Sequence, residues 1–335
     1  MDQEIPPIRS TGIGSWPGTD MAEAIQIAFA ECPDFPYLPE LPARGPYAEL
    51  IGRGTAFLAG LAVDLQSARW RLTDASSREH RLAISTLRSD FDQLEELAQG
   101  YAGPVKIAVA GPWTLAAQVE RPRGDRVLAD SGARRDLGQS LAEGVASMMA
   151  ELKRRLPDID FTVQLDEPSL PAVLAGSLGT ASGFSHHPAV DVAEVSGSLR
   201  DVLAHIRAAG TAAVVVHCCA PAAPISLLQE AGADGIYLDL DQLSTSAWDT
   251  VASCLEDGVQ LGLGALPTDQ LLLTPDQVAR RVLHHLRGLG LDPWIAARVV
   301  ITPACGLAST RPELAVGALR TIHTAAAIVT EQLGD

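Results

Sequence analysis

The chain has 335 residues, 47 % of them hydrophobic and 20 % charged, with a formal net charge of −16. That composition describes a well-buried globular protein, and a strong negative balance without any cluster of Lys and Arg excludes a phosphate-backbone partner such as nucleic acid. No apolar stretch is long enough to span a bilayer, so no membrane partner is expected, and five cysteines with neither a signal peptide nor small-domain spacing point to a reduced, cytoplasmic setting.

Read for period, the sequence alternates short β-rich runs with longer amphipathic stretches, without a composition break. Strands are predicted over 10–14, 63–67, 105–109, 161–165, 212–217, 235–239, 259–263 and 299–302, and helices over 20–31, 78–99, 134–156, 189–209, 224–231, 246–257, 275–289 and 311–333. Between the first two strands, a loop carrying Pro33, Pro36, Pro39, Pro42 and Pro46 and a helix-like stretch over 47–62 read as an insertion. The charged segment 121–135 reads as an excursion after the third strand. The alternation predicts one (β/α)8 TIM barrel over residues 1–335, with the Pro-rich, helical insertion near its mouth.

Such barrels build their sites from loops at the C-terminal strand ends. There the sequence places Ser15 and Trp16, Trp113 and Thr114, Asp166 and Glu167, His217 and Cys219, Asp239 and Asp241, and Cys305. Residues two apart on a strand point to the same side, roughly 6 to 7 Å apart, so His217 and Cys219 can share one ion while Cys218 faces away. With Cys305 they form the soft donor set that zinc prefers, three protein ligands with an open fourth position. Asp239 is the candidate for a displaceable fourth oxygen ligand, and Asp241 the alternative. Cys32 and Cys254 lie in helix-like segments and read as small hydrophobes. A zinc with two thiolates is suited to holding a further thiol as thiolate near neutral pH, which implies S-alkylation.

Taken in order, Thr11-Gly12-Ile13-Gly14-Ser15-Trp16-Pro17, Gly111-Pro112-Trp113-Thr114, Gln164-Leu165-Asp166-Glu167-Pro168, His217-Cys218-Cys219 and Pro303-Ala304-Cys305-Gly306-Leu307 resemble the catalytic barrel of cobalamin-independent methionine synthase. The wider group includes uroporphyrinogen decarboxylase and corrinoid-linked thiol methyltransferases. The resemblance implies zinc on His217, Cys219, Asp239 and Cys305, with Asp where the family has Glu. It also implies homocysteine held by Ile13, Gly14, Ser15, Glu40 and Asp166, the last also a catalytic candidate. Glu167 beside it is a further substrate-binding candidate, and Trp113, with Trp16, a candidate to stack on a flat donor ring. The implied reaction moves a methyl group from methyl-tetrahydrofolate or a corrinoid, on its own or carried by a partner protein, to homocysteine, giving methionine.

Two departures stand out: the family's additional N-terminal barrel has no counterpart, and its proton-donating His is missing from Gly264-Ala265-Leu266-Pro267-Thr268-Asp269. Asp269 or the His186-His187 pair is then the candidate acid, or the donor is a corrinoid that needs none. Competing readings are a zinc methyltransferase for another thiol, a barrel binding an acidic tetrapyrrole through Arg9, Arg44 and Arg53, and a non-catalytic zinc- or corrinoid-binding barrel.

Overall fold

The computed structural model describes residues 5–67 and 69–334. Its main sheet has eight parallel strands: β1 (Arg9–Ser10), β2 (Tyr37–Leu38), β5 (Gly103–Ala110), β6 (Ile159–Asp166), β7 (Ala213–Cys218), β8 (Gly235–Asp239), β9 (Gln260–Leu266) and β10 (Val299–Pro303). They lie in the order β1-β10-β9-β8-β7-β6-β5-β2, and β3 (Ala62–Gln66) with β4 (Arg69–Thr73) forms a separate antiparallel hairpin. The two ends of the order meet just beyond β1 and β2: the Trp16 N–H donates to the Glu40 carbonyl (2.8 Å) and the Glu40 N–H to the Gly14 carbonyl (3.1 Å). This bridge joins the sheet's edges at its C-terminal end, giving the expected TIM-barrel-like α/β architecture.

Two strands differ from expectation, and the first, predicted over 10–14, is a strand only over Arg9–Ser10. The segment predicted as the second barrel strand, 63–67, lies in the β3–β4 hairpin, and the second barrel strand comes from within the Pro-rich loop. Pro36 and Pro39 flank Tyr37–Leu38 and have no N–H to donate, so pairing stops after two residues, too few to show a period. In the hairpin only Val63 and Trp70 are buried, the pattern of a ribbon on a surface.

Barrel strands β5 to β10 are buried almost end to end, because helices cover one face and interdigitating side chains fill the other. Helices start where short polar side chains cap free N–H groups: Asp20 before Met21–Glu31, Ser77 before Arg78–Leu97, Asp130 before Ser131–Arg155, Asp191 before Val192–Ala208. Thr274 and Gln277 form a reciprocal capping box at Pro275–Leu289. The Asp130 cap starts its helix three residues earlier than predicted, shortening the 121–135 excursion. Among the described residues, no helix is long and apolar enough to cross a membrane.

Candidate active site

The pleat of β7 sends His217 and Cys218 to opposite sides, as the spacing predicts. His217 and Cys219 line a cavity of about 250 Å³ at the C-terminal mouth, whereas Cys218 lines a neighbouring one. The same mouth cavity is lined by Ile13, Gly14, Ser15, Glu40, Asp166 and Cys305, so with His217 and Cys219 four separate sequence motifs converge. Its wall is stitched together: the Leu307 N–H donates to the Ser15 carbonyl (2.8 Å), and a Cβ on Gly306 would stand 1.9 Å from Ser15 Oγ. Only glycine after Cys305 leaves room for that hydroxyl.

The donor chemistry at this mouth fits zinc. The Cys219 and Cys305 sulfurs are 3.4 Å apart, close to the roughly 3.8 Å that two thiolates span on a tetrahedral ion with Zn–S bonds of about 2.3 Å. The contact couples the two thiols, since an S–H beside a thiolate stabilises it, lowering Cys305 and raising Cys219. His217 is buried, its Nδ1 lies 2.7 Å from Asp166 Oδ1, and its Nε2 is buried without a partner. An imidazole held by a carboxylate through one nitrogen, with the other bare, is the usual arrangement of a metal-ligating histidine. Among the described residues, no group of three or more His, Cys, Asp or Glu side chains is already closed around a metal position.

Beneath the mouth lies a buried polar layer. Lys106, fully buried in β5, donates from Nζ to the Ile13 carbonyl (2.9 Å) and to Gln164 Oε1. Gln164 Nε2 donates to the Ile13 carbonyl (2.9 Å) and to Asp166 Oδ1 (2.7 Å). Burial lowers Lys106 to about 8 against the pull of Asp166 and Glu40. Glu40 accepts a 2.7 Å bond from Arg53, yet burial outweighs that guanidinium and raises its carboxyl to about 7. Both cations carried a sequence signal. Lys106 interrupts an apolar strand, and Arg53 sits between Gly52 and Gly54, where a Cβ would meet the Pro46 carbonyl at 2.0 Å or Ala110 at 2.8 Å.

The structure does not bring the remaining candidates to this cavity. Glu167 is fully buried and faces the start of helix Pro112–Gln118, accepting from Trp113 N (2.9 Å), Thr114 N (2.7 Å) and Thr114 Oγ1 (2.8 Å). It anchors a helix rather than a substrate, because strand alternation turns it away from Asp166. Trp113 is buried and lines a larger cavity, about 830 Å³, between helices Ser131–Arg155 and Val192–Ala208, away from the thiols and imidazole. Asp239 lines Cys218's cavity and caps the turn by accepting from Asp241 N (3.0 Å), while Asp241 pairs with Arg281 (2.6 Å). Asp269 and His186 are exposed, and His187 pairs with Asp125 (3.2 Å). Arg44 pairs with Asp90 (2.7 Å), Arg53 with Glu40 (2.7 Å) and Arg9 lies over Phe35, so among the described residues no arginine lines the mouth cavity for an acidic tetrapyrrole.

Comparisons with known proteins bear on the family and the fold. The family described as cobalamin-independent synthase, catalytic domain, matches residues 8–328. A B12-independent methionine synthase from Shewanella sp. W3-18-1, solved in complex with selenomethionine, superposes with a TM-score of 0.62 at 13 % identity, covering 98 % of this chain and 99 % of its own. A methyltransferase from Methanosarcina mazei superposes with a TM-score of 0.61 at 13 % identity, covering 95 % and 94 %. At such identities the likeness shows the fold. No curated protein matches the sequence.

Proposed function

The chain belongs to the catalytic-domain family of cobalamin-independent synthases and is a methyltransferase, and on that premise we propose that it methylates the thiol of homocysteine at a zinc held by His217, Cys219 and Cys305. One observation carries the reading: a bare, buried His217 Nε2, oriented by Asp166, beside two sulfurs 3.4 Å apart. Bound zinc would supply a Lewis acid that keeps the substrate thiol deprotonated near neutral pH. We place the whole chain, 1–335, in one catalytic barrel.

This chain's own residues then have a positioning task, the main requirement when a thiolate approaches a methyl group in line. Asp166 uses Oδ1 for His217 and Gln164, leaving Oδ2 as the acceptor for the substrate ammonium. Glu40 lines the same cavity, its Oε2 3.4 Å from where a Gly14 Cβ would stand. Gly14 and Ser15 line the same cavity, and backbone N–H groups of such a segment would suit the substrate carboxylate. The N-terminus of helix Met21–Glu31 is not needed for that anion, since Asp20 already caps it.

A cavity of about 250 Å³ lies below the roughly 300–1,000 Å³ of sites that enclose a drug-sized ligand, so it suits the amino acid, with the donor reaching in from the open mouth. Among the groups lining the cavity, Glu40 has its carboxyl raised by burial to about 7, and Arg53 bonds it. A corrinoid-bound methyl, whose leaving group needs no proton, asks less of this site than methyl-tetrahydrofolate. The engagement of both lining acids, Asp166 by His217 and Glu40 by Arg53, also keeps a different small thiol in play as acceptor.

The test is zinc content together with methyl transfer from methylcobalamin and from methyl-tetrahydrofolate to a panel of thiols that includes homocysteine. Stoichiometric zinc, lost in Cys305→Ser along with homocysteine turnover, is expected. Full zinc occupancy and unchanged turnover in Cys305→Ser would sink the proposal, and preference for another thiol would replace the acceptor.

A further inference from the structure

The hydrogen bonds below the mouth run in one direction. An ammonium can only donate, so Lys106 fixes which end of the Gln164 amide faces it: Oε1 accepts from Nζ, and Nε2 must point the other way. That Nε2 donates to the Ile13 carbonyl (2.9 Å) and to Asp166 Oδ1 (2.7 Å). A carboxylate oxygen only accepts, so the 2.7 Å contact from His217 Nδ1 to the same Oδ1 requires the proton on Nδ1. The consequence is a bare Nε2, a buried atom without a partner among the described residues.

The start of this sequence of bonds is held rigidly. Lys106 Nζ lies 5.6 Å from the centroid of the Tyr37 ring and 6.0 Å from that of Tyr237, a cation between two aromatic faces. Each ring is seated on a glycine: a Cβ on Gly12 would stand 2.3 Å from Tyr37 Cζ, and one on Gly262 would stand 2.2 Å from Tyr237 Cγ. The ammonium therefore has little freedom to turn its donors elsewhere. Lys106 and Gln164 also converge on the Ile13 carbonyl, so the same two side chains fix the turn that carries Gly14 and Ser15.

We propose that Lys106 and Gln164 are positioning residues that act through Asp166 to hold His217 in its Nδ1–H tautomer, presenting Nε2 to the mouth, and that simultaneously pin the Ile13–Ser15 turn. The inference rests on His217 being a metal ligand, but its first readout does not require metal.

The test uses the full-length, metal-free protein with ¹⁵N-labelled histidine, comparing wild type, Lys106→Met and Gln164→Leu, with His217→Ala to assign the signal. Two-bond ¹H–¹⁵N spectra of wild type should show His217 with the proton on Nδ1. Both variants should show a mixed or reversed tautomer, and their zinc affinity, read by chelator competition, should fall about 10- to 100-fold, the range found when groups supporting a metal ligand are removed. If Lys106→Met does not fold, Gln164→Leu decides, because it leaves Lys106 bonded to the Ile13 carbonyl. A folded variant that keeps the wild-type tautomer and zinc affinity overturns the inference. Failure of wild type to bind zinc would instead refute the metal reading, while the tautomer spectra would still decide this one.

Discussion

Replacing Glu167 separates an anchoring role from a substrate-binding one. Its carboxylate accepts two backbone N–H groups at the start of helix Pro112–Gln118 and the Thr114 hydroxyl, all buried. In Glu167→Ala the hydroxyl can turn to another acceptor, but the two N–H groups cannot. Each buried donor left unpaired costs about 1–3 kcal/mol, so the variant should lose about 2–6 kcal/mol of stability. Glu167→Gln keeps one acceptor oxygen but turns an NH₂ toward a donor, and should lose about 1–3 kcal/mol. Urea unfolding of the three proteins, with the slope checked for constancy, measures both values. Burial raises the Glu167 carboxyl to about 7, above its unfolded value, so its contribution is fully present below about pH 4.5 and is lost as pH rises through about 7. The difference between wild type and Glu167→Gln should therefore shift across that window. A Glu167→Ala loss below about 1 kcal/mol, with a large rise in KM for homocysteine, would refute the anchoring argument and restore a substrate contact.

Three further outcomes follow from the same geometry. Arg53→Leu strips Glu40 of its buried countercharge and should cost about 3–5 kcal/mol at pH 8; the deficit should shrink on acidification as Glu40 takes up a proton, and a pH-independent deficit would count against the pairing. Lys106, lowered to about 8 by burial, penalises the folded state while charged. Wild-type stability should therefore rise by roughly 3 kcal/mol relative to Lys106→Met between about pH 8 and 10.5, where only the unfolded chain holds the proton, as chemical denaturation across that range would reveal. Gly306→Ala places a Cβ 1.9 Å from the Ser15 hydroxyl, a clash relieved by rotating that side chain. It should raise KM for homocysteine while changing stability by less than about 1 kcal/mol, and an unchanged KM would separate Ser15 from the substrate.

Much of this protein was written in period and spacing. The alternation of apolar runs with amphipathic helices determined the barrel, and the two-residue period of a strand determined that His217 and Cys219 share a cavity while Cys218 faces another. Cap residues, whose chemistry is local, set helix starts that period alone misses by up to three residues, as at Asp130 and Asp191. Tertiary structure alone supplied β2, whose two residues between prolines are too short for any pattern, and whose pairing depends on Lys106 and Ile107 nearly seventy positions later. It alone separated Asp166 from Glu167, neighbours of one charge and opposite strand faces, giving the first to the imidazole and the second to a helix end. The bridge from Ser15 to Glu40 and the bonds from Lys106 to His217 likewise depend on which strands the closed sheet makes adjacent. Sequence specifies each residue's local preference and the side of its strand, whereas the partners that set its charge state and orientation are chosen by contacts between segments far apart in the chain.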